Sequence, residues 1–223
     1  MTGHNPFEGL SPASLAPIYE WPGEALRFVE GEFDCLHVVG DCGMGKTTLL
    51  RQLELRAAEA GGCSVYGCVP VGGGLELELP AAASLALIDE TDRLSGEGLI
   101  RLLGRVREAR CRCVLAGHRR QLRAIRQARL TVAYLRLRPL PGPALQTLFE
   151  SRIALAYGPD APGLTIDAAR ALLRASRGNI ERCLQIGYEV FEDLDGLREV
   201  TAADVGMAAA SLDRALATGG ASR

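Results

Sequence analysis

From residue 34 to residue 137, short apolar runs alternate with stretches in which apolar residues recur every three or four positions. The runs DCLHVV (34–39), CSVYGCV (63–69), SLALIDE (84–90), CRCVLAG (111–117) and TVAYLRL (131–137) read as strands. TTLLRQLELRAAEA (47–60), GLIRLLGRVREA (98–109) and RRQLRAIRQA (119–128) have helical spacing, the first of them stopped by Gly61-Gly62. Strands separated by short helices predict a parallel sheet with helices on both faces. Such sheets bind ligands beyond the carboxyl ends of their strands, which places the candidate site at 40–47, 89–90 and 117–118.

After RPLPGP (138–143) the pattern becomes helical only. ALQTLFESRIALAYG, IDAARALLRASRG, NIERCLQIGYEVFEDL and TAADVGMAAASLDRAL are amphipathic, with Asn179 and Thr201 placed as N-caps and Asp204 completing a capping box. The expected organisation is an N-terminal segment (1–30), a sheet domain (31–139), a helical domain (140–217) and a disordered tail (218–223). Between the second and third strands, PVGGGLELELPAAA is too short and too glycine-rich for a helix.

Composition adds bounds. No apolar run is long enough to span a membrane and no leader is visible, so membrane insertion is not expected and the default address is the cytoplasm. Seven cysteines without a CxxC pair read as reduced, buried thiols rather than a zinc site. Net charge is only −2, yet residues 101–138 hold twelve arginines against one acid, Glu108. In the whole chain, Lys46 is the single lysine.

That lysine lies in GDCGMGKTT (40–48), which fits G-x-x-x-x-G-K-[ST] in full. Glycines in such a loop let successive backbone N–H groups face phosphates at a helix N-terminus. Gly40, Asp41, Cys42, Gly43, Met44, Gly45, Lys46, Thr47 and Thr48 are therefore the candidate binding residues for ATP. Lys46 reaches the terminal phosphates as a compact, flexible ammonium where a planar guanidinium does not fit, and the Thr47 hydroxyl can ligate magnesium. In SLALIDE an apolar strand delivers Asp89 to the metal's water shell and sets Glu90 beside it as the base that polarises an attacking water.

These motifs, with the helical region that follows, resemble an AAA+ ATPase, and within that superfamily the ExeA, TniB and Orc/Cdc6-like branch. EALRFVE, CVLAGHRRQL, LRLRPLPGPALQTLFESRI and REVTAADV are similar to segments of that group, so the resemblance spans most of the chain. It implies a P-loop NTPase core with a small C-terminal helical lid, MgATP hydrolysis at subunit interfaces of a homo-oligomer, and coupling to a DNA or protein partner. It also implies roles for single residues. His118 stands at the polar sensor position, with a surface histidine as the alternative. Arg126 and Arg129 stand where an arginine finger is supplied in trans, amid Arg119, Arg120 and Arg123. Arg182 is the sensor 2 candidate, displaced one residue because Glu181 occupies the usual arginine position. Ile18, Tyr19 and Trp21 either wall the adenine or pack the N-terminal segment.

The arginine-rich stretch 101–138 is the candidate surface for double-stranded DNA or a protein partner. Two functions stay open: an ATP-hydrolysing motor or switch, favoured by Glu90, and an ATP-dependent oligomerising scaffold with negligible turnover, favoured by the displaced arginine and by the lack, between the second and third strands, of the helix that the resemblance implies there.

Overall fold

Each of the five apolar runs forms a strand: β1 Cys35–Val39, β2 Cys63–Cys68, β3 Ala83–Asp89, β4 Arg112–Gly117 and β5 Val132–Arg136. The structure is a computed structural model and describes residues 5–9, 11–158, 161–194 and 198–219. All neighbouring strands pair in parallel, in the spatial order β2-β3-β4-β1-β5. The inner strands β1, β3 and β4 are buried at nearly every position because both faces are covered, whereas the edge strands β2 and β5 are buried only in part. Leu36, Val38, Leu85, Leu87, Val114 and Ala116 pack with Ala25 and Phe28 of α2 (Gly23–Val29) and with Leu49, Leu50 and Leu53 of α3 (Lys46–Glu59). A short α1 (Pro12–Leu15) precedes them. Cys35, Ala86, Ile88, Cys113 and Leu115 form the other cluster, with Leu99, Leu102, Leu103 and Val106 of α4 (Gly96–Glu108) and Ile125 of α5 (Leu122–Gln127).

Residues 69–82 hold neither helix nor strand. Alternation in LELEL is used nonetheless: Leu75, Leu77 and Leu79 join the second cluster while Glu76 and Glu78 are exposed. The segment lies so close to β2 that a Cβ on Gly67 would sit 2.8 Å from Leu77 Cδ1. The Leu77 carbonyl accepts from Arg105 Nη2 at 2.6 Å, which ties it to α4.

The helix read over 119–128 begins only at Leu122. Its register is set from outside, because the Gln121 N–H donates to His37 Nε2 at 3.1 Å in place of a helical carbonyl. The cysteines divide: Cys35, Cys111, Cys113 and Cys183 are buried, but Cys42, Cys63 and Cys68 are exposed, in a loop and at the two ends of the edge strand β2. The expectation of uniformly buried thiols is corrected accordingly. All seven are free thiols.

The chain divides into two compact units, Pro12–Arg138 and the described parts of Met1–Ser11 with Pro139–Arg223. The second unit contains α6 Gly142–Tyr157, α7 Ile166–Ser176, α8 Ile180–Asp193 and α9 Ala202–Gly219. Its core gathers Phe149, Leu172, Ile186 and Val190, and Phe7 lies against Phe149 with ring centroids 4.3 Å apart. Asn179 caps α8 by accepting from the Arg182 N–H at 2.9 Å. Thr201 and Asp204 cap α9, the Thr201 N–H donating to Asp204 Oδ2 at 2.8 Å. Arg198 donates to both carboxylate oxygens of Asp204, which holds that group well below the usual carboxylate range. Helix α9 continues to Gly219, and residues 220–223 of the expected tail lie outside the described residues.

Candidate nucleotide site

Strands β3, β4 and β1 are neighbours, so their carboxyl ends bring Asp89, His118 and the loop 40–45 to one edge of the sheet. The loop is anchored where the Gly40 N–H donates to the Gly117 carbonyl at 3.2 Å. Gly43 and Gly45 adopt φ of 74° and 85°, left-handed values that side chains disfavour. Gly45 is the N-cap of α3 and contributes no side-chain cap, so the first amides of that helix are left for a ligand. Met44 is buried beneath the loop, whereas Asp41 and Cys42 are exposed at its crown and Thr48 is half-buried in the first turn of α3.

Lys46 is only 6% exposed. Its Nζ donates to the carbonyls of Gly40 (2.8 Å) and Asp41 (3.0 Å), which holds the ammonium across the loop. The next residue joins two strand ends: Thr47 Oγ1 donates to Asp89 Oδ2 at 2.6 Å. Asp89 is 2% exposed, and its Oδ1 accepts the Glu90 N–H at 2.9 Å. Tyr66 of β2 donates to Asp89 Oδ2 at 3.3 Å, with the Arg51 guanidinium stacked 3.6 Å from its ring centroid. Burial, followed by the Asp89 charge, pushes the Tyr66 hydroxyl up to about 12, so it stays a donor.

Glu90 adopts φ 57°, uncommon for a residue with a side chain, and opens a 3-10 turn over Thr91–Arg93. Its Oε2 lies 3.2 Å from Arg93 Nη2 and 3.7 Å from His118 Nε2. His118 is positioned through its backbone, which donates to Asp92 Oδ1 at 2.6 Å. Gly117 makes that approach possible, since a Cβ there would collide with Asp92 Oδ1. Beneath the turn, Gln121 clamps Thr91 in both directions: Thr91 Oγ1 donates to Gln121 Oε1 (2.7 Å) and Gln121 Nε2 donates to the Thr91 carbonyl (3.0 Å). Glu90, Asp92 and His118 each offer one ligand atom within 4.8 Å of the others.

The fold thus brings together the loop 40–47, Thr48, Asp89, Glu90 and His118. Arg126, in the last turn of α5, and Arg129, in a left-handed turn after it, are exposed. Arg182 lies in the helical unit, where its guanidinium donates to Asp213 and to the Ala209 carbonyl. Tyr19 and Trp21 meet edge to face at 5.3 Å and pack against the cluster beneath α2 and α3. Sequence reasoning missed Tyr66, Asp92, Arg93 and Gln121. Only Asp92 and Arg93 carried a signal, their nearness to Glu90.

The residues present fit MgATP. Thr47 and Asp89 converge as a hydroxyl and a carboxylate, the oxygen donors a hard divalent cation takes. The loop keeps its backbone open at Gly43 and Gly45 and sets one ammonium across it.

A scan against protein-family models gives no match, and a comparison with curated proteins likewise gives none. Solved structures do resemble this one. NtrX from Brucella abortus in complex with ADP matches 81% of this chain and 52% of its own, at 16% identity and TM-score 0.55. The complex of the same protein with ATP matches 89% and 55%, at 14% identity and TM-score 0.56. RuvB from Thermotoga maritima, a Holliday junction branch migration motor, matches 83% and 64%, at 19% identity and TM-score 0.56. The chain therefore spans about half the length of NtrX and just under two thirds of that RuvB chain. At these identities the likeness shows the fold: an AAA+ P-loop NTPase core, with a helical C-terminal region also present in this chain. Among the described residues, no helix is long and apolar enough to cross a membrane.

Proposed function

We propose that this chain is an AAA+ ATPase that binds and hydrolyses MgATP, assembles into a homo-oligomer, and couples turnover to a DNA or protein partner in the cytoplasm. The observation that carries the reading is the Thr47–Asp89 hydrogen bond, which joins the P-loop to the acidic end of β3 beside the buried Lys46. Gly40–Thr48 bind the triphosphate through backbone amides and Lys46, and Thr47 and Asp89 hold the magnesium. Magnesium, when bound, offsets negative charge on the phosphates. Glu90 orients a water and takes its proton, and His118, whose Nε2 lies 3.7 Å from Glu90 Oε2, serves as the polar sensor of the γ-phosphate or that water. Arg126 or Arg129 of a neighbouring copy supplies positive charge in the transition state.

Eleven of the twelve arginines in 101–138 are exposed, Arg112 being the exception, which supports a polyanionic or acidic partner for this stretch. Titrating a labelled duplex, with an ATP analogue present, at two salt concentrations separates the two kinds. Binding that weakens steeply with salt supports DNA, and no binding at low salt leaves a protein partner. The scaffold reading is favoured by one observation, the engagement of Arg182 by Asp213. ATP turnover measured against protein concentration, with and without DNA, tests the main reading: activity per chain rises with concentration, and its absence under all conditions puts the scaffold first.

A further inference from the structure

The Arg93 guanidinium joins two parts of the fold. Its Nη2 lies 3.2 Å from Glu90 Oε2, and its Nη1 donates to the Val69 carbonyl at 2.8 Å, at the start of the helix-free segment between β2 and β3. A second, independent approach joins the same partners. The turn 70–73, closed by the Gly73 N–H on the Pro70 carbonyl at 3.1 Å, comes so near that a Cβ on Gly73 would lie 2.9 Å from the Arg93 carbonyl. Three consecutive glycines, 72 to 74, hold left-handed φ values to make that passage, and Val71 at the tip is 88% exposed.

We infer that Arg93 is a positioning residue for Glu90, and that through it the setting of the Glu90 carboxylate answers to the position of segment 69–74. This rests on the reading of Glu90 as the base.

Stability is not what the pair supplies. The Arg93 and Glu90 side chains are 37% and 22% exposed, and ion pairs open to water add little to folding. What the pair supplies is direction. Glu90 starts from a left-handed backbone, its N–H is committed to Asp89 Oδ1, and the Arg93 N–H donates to the Glu90 carbonyl at 3.0 Å. The carboxylate is therefore aimed by Arg93 at Oε2, the oxygen that His118 Nε2 also faces at 3.7 Å. A displacement of the Val69 carbonyl or of the glycine turn moves the guanidinium or its backbone, and the carboxylate with it. A second contact runs beside this path: the Val69 N–H donates to the Asp89 carbonyl at 3.0 Å.

The test compares wild type with Arg93→Gln, Arg93→Lys and Gly73→Ala in ATP turnover and in equilibrium binding of a fluorescent ATP analogue. Misplacing a reacting group by an ångström costs up to about 100-fold. Arg93→Gln is accordingly expected to lower kcat about 10- to 100-fold, with KM and analogue affinity within about twofold. Arg93→Lys restores part of the rate, and Gly73→Ala lowers kcat while analogue binding holds. A second measurement isolates Arg93 from the Val69–Asp89 contact: kcat of Arg93→Gln, of Gly73→Ala and of the variant carrying both. An effect of Gly73 that travels through Arg93 vanishes once Arg93 is gone, so the double variant is expected to turn over no more slowly than Arg93→Gln. An unchanged kcat in Arg93→Gln, or losses that add in the double variant, overturns the inference. A wild type without turnover would instead overturn the proposed function, and with it the reading of Glu90 on which this inference rests.

Discussion

Lys46 carries a charge that no other residue type in this loop replaces, because its Nζ already sits on two loop carbonyls at 2.8 and 3.0 Å. Lys46→Ala is expected to fold and to lose ATP binding, checked by equilibrium binding of the fluorescent analogue. Retained micromolar affinity would remove the P-loop assignment. His37 is the other residue whose chemistry is exposed to test. It is fully buried in β1, its Nε2 accepts the Gln121 N–H, and its Nδ1 has no hydrogen-bond partner among the described residues. Burial, the largest influence, lowers its pKa below the ordinary 6.5; the nearby Asp92 charge opposes that and Arg120 reinforces it. A folded value below the unfolded one means that the unfolded chain takes up the proton first on acidification. The contribution of His37 to stability is thus complete above the ordinary value and falls as pH drops from there through the lowered one. On acidification below about pH 6.5 the melting temperature of wild type should decline more than that of His37→Gln, whose amide oxygen can reach the Nε2 position and still accept from Gln121. Equal declines would show that His37 is not the group responsible.

At the scale of elements, the strands and the P-loop were legible because burial on both faces writes continuous apolar runs, and phosphate binding writes a fixed glycine spacing. The caps were legible too, since Asn179 and Thr201 act through residues three positions on. Asn179→Ala should destabilise the helical unit by about 1 kcal/mol, read from denaturant midpoints, the usual weight of such a cap. No change would mean that Arg182 N–H finds another acceptor. What was not legible depends on partners distant in sequence. The start of α5 is set by His37, eighty-four positions away from Gln121. The place of Tyr66 beside Asp89 depends on β2 pairing with β3, and an aromatic residue in an apolar strand carries no mark of it. Arg93 lies near Glu90 in sequence, but its link to the glycine turn at 72–74 depends on an approach from some twenty positions away. Gly117 shows the same dependence: Gly117→Ala should distort the Thr91–Arg93 turn and lower turnover even though no ligand role falls on a Cβ there, and unimpaired kcat would show that the turn can move aside.

For the whole molecule, the account joins a fold shared with NtrX and RuvB to a site assembled from three adjacent strand ends. Assembly is where the reading extends furthest. If Arg126 and Arg129 act on a neighbouring copy, mixing Glu90→Gln chains with chains lacking both arginines should restore part of the activity, because one interface then pairs an intact base with an intact finger. No recovery at any ratio, with assembly confirmed by light scattering, would remove these arginines from the mechanism. The claim beneath all the others is that this site turns over MgATP. The most direct measurement is phosphate release by purified wild type and Glu90→Gln, alongside ATP binding by both. The account predicts that both bind ATP and only wild type releases phosphate, since the amide keeps the shape of the side chain but cannot take a proton. Equal phosphate release by the two would contradict it.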